Sequence, residues 1–220
     1  MYKETEQATQ IEAPRLKPTL LLIGGISGCG KTTMATTVTA QLNTLGIPVK
    51  RVVPYTTRQP RPGEVNGIDY WFVPKGQLEE RISTSPTAWD FGMCHGQLYA
   101  CPIANTVPPP AGMSVLPIHP HTLAELKATY QGSARIMTIL IYLPPQVIPQ
   151  WRACFVSSGR SETRDFGSEL SLQASIQEDS ESWDHTFYPS WNQQQDRTAF
   201  ANAVLRLLSY DRSVQQRTPW

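Results

Sequence analysis

Leu20-Leu21-Leu22-Ile23-Gly24-Gly25-Ile26-Ser27-Gly28-Cys29-Gly30-Lys31-Thr32-Thr33 is the stretch that decides the fold. Its first half is a short apolar run bounded by glycines, the pattern of a buried parallel strand. Its second half fits G-x-x-x-x-G-K-[ST], from Gly25 through Ser27, Gly28, Cys29 and Gly30 to Lys31 and Thr32, with Thr33 following. Met34, Val38, Leu42 and Leu45 then repeat at the spacing of one helix face, and Gly46 and Pro48 stop that helix. Strand, glycine loop and helix in this order form a phosphate-binding loop. Glycines let backbone N–H groups close around phosphate oxygens, and the helix N-terminus adds partial positive charge. Lys31 is placed to reach the β- and γ-phosphates of ATP, and the Thr32 hydroxyl to ligate Mg²⁺.

The whole chain has 220 residues and a net charge of +1. That is one medium domain with room for a small lid, and it carries no basic field for nucleic acid or an anionic membrane. No apolar run approaches the roughly eighteen residues that span a bilayer. Its 4 cysteines, Cys29, Cys94, Cys101 and Cys154, include no C-x-x-C pair and read as reduced thiols of a cytoplasmic protein. Monomer and homodimer both remain open.

Residues 1–17 lack a sustained period and read as a flexible extension, and the tail 211–220 reads as loose. Between them, strands are expected at Val49–Val53, Tyr70–Val73, Trp89–Met93, Gln97–Cys101, Met113–Ile118, Ile136–Leu143 and Thr186–Tyr188. Helices are expected at Pro74–Ile82, His121–Tyr130, Gln146–Val156, Glu169–Glu178 and Thr198–Leu208. The alternation predicts an α/β domain over residues 18–210 with a mostly parallel central sheet in three layers. Residues 52–104 form an insertion, and residues 157–168 a polar lid.

The insertion opens with Tyr55-Thr56-Thr57-Arg58-Gln59-Pro60-Arg61-Pro62-Gly63-Glu64-Val65-Asn66-Gly67-Ile68-Asp69-Tyr70-Trp71-Phe72-Val73. Two arginines held three residues apart on a proline- and glycine-stiffened loop, with tyrosines nearby, suit a dianionic phosphate. A second phosphate site beside a phosphate loop points to phosphoryl transfer. This segment closely resembles the GMP-binding segment of guanylate kinases, T-T-R-x-P-R-x-G-E-x-x-G-x-D-Y-x-F. Trp89–Pro102, with its H-G-x-x-Y core, is similar to the next substrate segment of that family. The resemblance covers Leu20–Leu208 in element order and is specific up to Pro102. It implies a P-loop kinase fold and transfer of the γ-phosphoryl group of ATP, with Mg²⁺, to a nucleoside monophosphate. GMP or dGMP is the first acceptor to try, Arg58, Arg61, Tyr70 and Tyr99 gripping its phosphate within a loop that also carries Glu64.

Several positions depart from the family pattern. Asp90 stands for a glutamate and Cys101 for a small hydroxyl residue; Pro117 and His119 fall at an Asp-x-Asp, and Pro54 replaces a serine. Asp90, Cys101 and His119 are the expected base contacts, and their changed chemistry weakens guanine recognition. Neither late core strand ends in an aspartate that could position Mg²⁺. Arg160 matches the first lid arginine, and Arg164 substitutes for a second, since Asp165–Asp196 contains no Lys or Arg. Two rival readings stay open: a non-catalytic guanylate kinase-like binding module, against which the retained Lys31 argues, and a kinase for another phosphorylated acceptor such as a sugar phosphate.

Other residues read more plainly. His95, before Gly96, is a turn residue. His119 and His121 flank Pro120 as a metal-like pair for which spacing supplies no third ligand. Cys29 reads either as a thiol activated by the helix N-terminus or as filler at a variable position. The 6 tryptophans are scattered packing residues, and the run at Pro108 is a stiff connection.

Overall fold

The computed structural model describes residues 16–132, 134–160, 165–178 and 180–215. In chain order the elements are β1 (Thr19–Gly25), α1 (Lys31–Thr44), β2 (Val49–Arg51), β3 (Tyr55–Thr56), β4 (Trp71–Phe72), α2 (Lys75–Thr84), β5 (Trp89–Cys94), β6 (Gln97–Pro102), α3 (Ile103–Thr106), β7 (Met113–Pro117), α4 (Leu123–Tyr130), β8 (Arg135–Ile141), α5 (Ile148–Ser157), α6 (Phe166–Glu178), β9 (His185–Phe187) and α7 (Gln193–Gln215). Every strand foreseen from the sequence is present within a few residues. Helix α3 was not foreseen, and α7 is longer than Thr198–Leu208 at both ends, running five residues into the expected tail. No helix among the described residues is long and apolar enough to cross a membrane.

Every residue of β1 is buried, because the strand is central to a parallel five-stranded sheet of order β2-β7-β1-β8-β9. Leu21 lies opposite Val115 on one side and Met137 on the other. Side-chain alternation then divides the core. Leu21 and Ile23 pack with Val38 and Leu42 of α1, Phe155 of α5 and Phe200 of α7. Leu20 and Leu22 pack on the other face with Leu126 of α4, Ile176 of α6 and Trp183. Helices therefore cover both faces, giving the three layers that the sequence predicts.

Helix α1 ends as its residues require. Gly46 adopts φ 75°. Its N–H donates to the Asn43 carbonyl, and the Ile47 N–H to that of Leu42 at 3.0 Å. This is the paired bonding of a Schellman ending. Leu45 falls outside the foreseen apolar face: it is 60% exposed, since the helix has turned away from the sheet by then.

The insertion forms a second sheet of order β4-β3-β6-β5. Strands β5 and β6 make an antiparallel hairpin in which Asp90 faces Cys101, Gly92 faces Tyr99, and Cys94 faces Gln97. His95 (φ 50°) and Gly96 (φ 72°) form its two-residue turn, both left-handed as such turns demand. One face of the hairpin presents Leu98 and Ala100 to Leu78 and Ile82 of α2. By register, the opposite face carries Asp90, Cys101 and Tyr99.

Gly24 shows how tightly the strand end is packed. A Cβ there would lie 2.0 Å from the Trp183 ring. Gly24→Ala should lower stability by about 1–3 kcal/mol or more, read from the urea midpoint. Combined with Trp183→Ala, which removes the clash, it should cost less than the sum of the two single changes.

Candidate active site

The phosphate loop joins β1 to α1. At Gly25 (φ 146°) a Cβ would meet the Cys29 sulfur at 2.6 Å and the Ile141 carbonyl at 2.8 Å, so only glycine lets the chain turn out of the sheet here. Gly30, also left-handed at φ 102°, is the residue before α1; no side chain caps the helix and no acid lies in its first turn. The uncapped amides and the positive end of the helix dipole are thus left for an anion. Lys31 runs back along the loop, its Nζ donating to the carbonyls of Gly25 at 2.7 Å and Ile26 at 2.9 Å. Thr32 is half-buried and Thr33 exposed at the start of the helix. These residues fit the phosphates of a nucleoside triphosphate.

Two further groups hold the loop, and nothing in the sequence pointed to them. The Ser27 N–H donates to Glu169 Oε2 of α6 at 2.8 Å, and the Ser27 carbonyl accepts from Trp151 Nε1 of α5 at 2.9 Å. Glu169 is 1% exposed and Trp151 is fully buried. Glu169 Oε1 also lies 3.6 Å from His95 Nε2, an ion pair when that imidazole is protonated. Cys29 is buried, and burial pushes its thiol up despite the nearby Lys31 charge. That overturns the activated-thiol reading, because the helix terminus cannot compensate for lost solvent.

The two arginines expected in a lid are not both described. Arg160 lies against the loop, its Cδ 3.7 Å from the point a Gly28 Cβ would occupy, and its Nη1 donates to the Ser158 hydroxyl. Arg164 lies outside the described residues. Gln173 faces inward from α6, where its amide pairs with both the N–H and the carbonyl of Leu143.

The side chains expected to grip an acceptor phosphate lie together. Arg58 makes a fork with Glu64, donating from Nη1 at 2.6 Å and Nη2 at 2.7 Å. Its guanidinium stands 5.0 Å from the Tyr70 ring centre, and Tyr70 meets Tyr99 edge to face at 5.9 Å. The Arg61 N–H donates to Glu64 Oε2 at 2.7 Å, with Arg61 Nη1 3.9 Å from Oε1. Glu64 therefore orients both arginines. Burial opposes charge on Arg58 and on Glu64, yet their mutual hydrogen bonds prevail, raising the Arg58 pKa and lowering that of Glu64. Burial raises the Tyr70 pKa, which keeps its hydroxyl a proton donor.

The expected base contacts do not converge on one point. Asp90 and Cys101 face each other near the base of the hairpin. Burial, helped by the Glu125 charge, pushes the Asp90 carboxyl up to about 6. Burial also raises the Cys101 thiol to about 12, and Cys101 packs with Val52, Leu116 and Ile118. His119 stands instead with Cys94 and His95 at the turn end.

The guanylate kinase family profile matches residues 17–179, most of the chain. The chain belongs to the guanylate kinase family. It is 37% identical to the guanylate kinase of Lactobacillus acidophilus over 87 residues, 40% of this chain and 41% of that one. With the guanylate kinase of Syntrophus aciditrophicus it shares 30% identity over 145 residues, 64% of this chain and 65% of the relative. The aligned stretches thus span less than two thirds of these curated relatives. A crystal structure of guanylate kinase from Anaplasma phagocytophilum superposes with a TM-score of 0.59 at 18% identity, covering 90% of this chain and 87% of that one, which extends the common fold beyond the aligned sequence.

The Arg58–Glu64 fork supplies a stability test within this guanylate kinase family member. Folding favours the ionised Glu64, so its contribution is full at neutral pH and is lost as pH falls below about 4.5 through the lowered folded value. Thermal melts should show Glu64→Gln destabilised by about 1.5–3 kcal/mol at pH 7, with the gap to the parent narrowing in acid.

Proposed function

We propose that the chain transfers the γ-phosphoryl group of ATP to a nucleoside monophosphate, with GMP or dGMP as acceptor and weakened recognition of guanine. The observation carrying this reading is the pairing of two phosphate sites on two sheets: the loop at Gly25–Thr33 and the Arg58–Glu64–Tyr70–Tyr99 grip. Lys31 and the α1 amides hold the donor phosphates. Arg58 and Arg61, already aimed by Glu64, hold the acceptor phosphate with the Tyr70 and Tyr99 hydroxyls. Mg²⁺ bound by Thr32 and phosphate oxygens would neutralise charge on the transferring group. Arg160, beside Gly28, adds positive charge where negative charge spreads during transfer. Little acid–base chemistry is demanded of the protein; alignment and exclusion of water supply the rate.

Guanine recognition rests chiefly on Asp90, since the buried Cys101 thiol beside it is a poor hydrogen-bonding group and His119 lies at the turn end of the hairpin. A carboxylate accepts from the donor edge of guanine, while a neutral carboxyl gives up an acceptor. With its carboxyl near 6, Asp90 becomes the better acceptor as pH rises through that value. A non-catalytic nucleotide-binding module is the second reading, favoured by the engagement of the Ser27 N–H with Glu169, which withdraws one amide from the loop.

ADP release with GMP, dGMP, AMP, UMP and CMP separates these readings. Lys31→Ala should lower kcat by at least about 100-fold, and Arg58→Ala should lower kcat/KM for GMP by about 10–100-fold while sparing the KM for ATP. Binding without turnover for every acceptor would leave the module; turnover indifferent to the base would favour another phosphorylated acceptor. In the parent, KM for GMP should fall as pH rises from 5 to 7, and Asp90→Asn should flatten that profile.

A further inference from the structure

One cluster of ligating side chains lies outside both phosphate sites. Cys94 ends β5, His95 opens the hairpin turn, and His119 follows β7. One ligand atom from each lies within 4.8 Å of the other two. The His119 ring is also 5.2 Å from that of His121. The sequence contains 4 histidines, and three of them meet in this one patch beside a cysteine. The His119-Pro120-His121 pair, which lacked a third ligand by spacing, acquires two from a hairpin that folds back onto it.

We propose that Cys94, His95 and His119 form a zinc site joining the tip of the hairpin to the end of β7, and so the second sheet to the central one. A thiolate and two imidazoles are donors for Zn²⁺, which binds sulfur at about 2.3 Å and nitrogen at about 2.0–2.1 Å in a tetrahedron. Donors in such a tetrahedron lie about 3.3–3.6 Å apart. Reaching that spacing asks ligand atoms within 4.8 Å of one another, on residues that are half-buried or exposed, to draw together by at most about 1.5 Å. The fourth position falls to water or to His121. Mg²⁺ is rejected by this soft donor set, so the site does not compete with the phosphate loop for that ion.

Glu169 is a second, independent observation. Its carboxylate lies 3.6 Å from His95 Nε2, placed to close onto that nitrogen as the outer partner of a histidine that ligates through Nδ1. The same carboxylate holds the Ser27 N–H. Bound zinc would therefore connect the hairpin tip, α6 and the phosphate loop through one chain of contacts. The proposal concerns metal binding alone and stands apart from the kinase reading.

The test is titration of the reduced, chelator-stripped protein with Co²⁺, followed by displacement with Zn²⁺. A one-to-one complex with tetrahedral visible bands and a thiolate charge-transfer band is expected, and Zn²⁺ should bleach both. Cys94→Ser should abolish the charge-transfer band, whereas Cys154→Ser, at an exposed cysteine elsewhere, should leave the spectrum unchanged. Glu169→Gln should weaken Zn²⁺ binding by about 10–100-fold, measured by competition with a chromophoric chelator. Circular dichroism of each variant checks that it is folded. Absence of saturable one-to-one binding, or a spectrum that survives in folded Cys94→Ser and in folded His119→Gln, overturns the proposal.

Discussion

Ser27 is held at both of its backbone polar groups, and the shape of the phosphate loop depends on that grip. Its carbonyl accepts from Trp151 and its N–H donates to Glu169, both from positions with almost no solvent contact. A loop that directs amides outward makes few bonds of its own, such as the Cys29 N–H to the Ile26 carbonyl at 3.3 Å, so its shape has to be fixed from behind. Helices α5 and α6 do this, one with an indole and one with a carboxylate. A carboxyl group in such a place is tolerated because its oxygens have partners, Ser27 on one side and His95 on the other.

The acceptor loop uses the same device in a milder form. Arg58 and Arg61 would repel each other and sample many rotamers if solvated separately. Glu64 binds Arg58 in a fork and takes the Arg61 amide, which places both guanidinium groups before any phosphate arrives. Aromatic rings under Arg58 add direction without adding charge. On the proposed reading, a dianion entering this grip would meet side chains whose ordering cost has already been met in folding.

Local signals carried most of the fold. The apolar run before Gly24, the helical period of Met34, Val38 and Leu42, and the Gly46 stop each depend on neighbours within a few residues, and each is realised. The acceptor loop was legible because Arg58, Arg61 and Glu64 lie within seven positions of one another. Glu169 was illegible: it meets Ser27 across 142 positions, and a glutamate on a weakly patterned helix looks like a solvated one. Cys101 and His119 lie at opposite ends of the hairpin, a separation the sequence does not show because it does not say which end of the hairpin lies over the end of β7. Leu45 shows the opposite failure, a correct period carried one turn too far.

The position of β1 also governs how the chain reaches this shape. The strand that organises the core pairs only with β7 and β8, which begin at Met113 and Arg135. The whole insertion lies between the first strand and its first neighbour. The β5–β6 hairpin, by contrast, closes around two residues. Loop-closure entropy thus favours the hairpin and α2 as the earliest ordered piece, while the central sheet waits for distant strands. During synthesis the phosphate loop would leave the ribosome long before the strands that frame it, its apolar strand unpaired until β7, which begins 88 positions beyond Gly25, had followed.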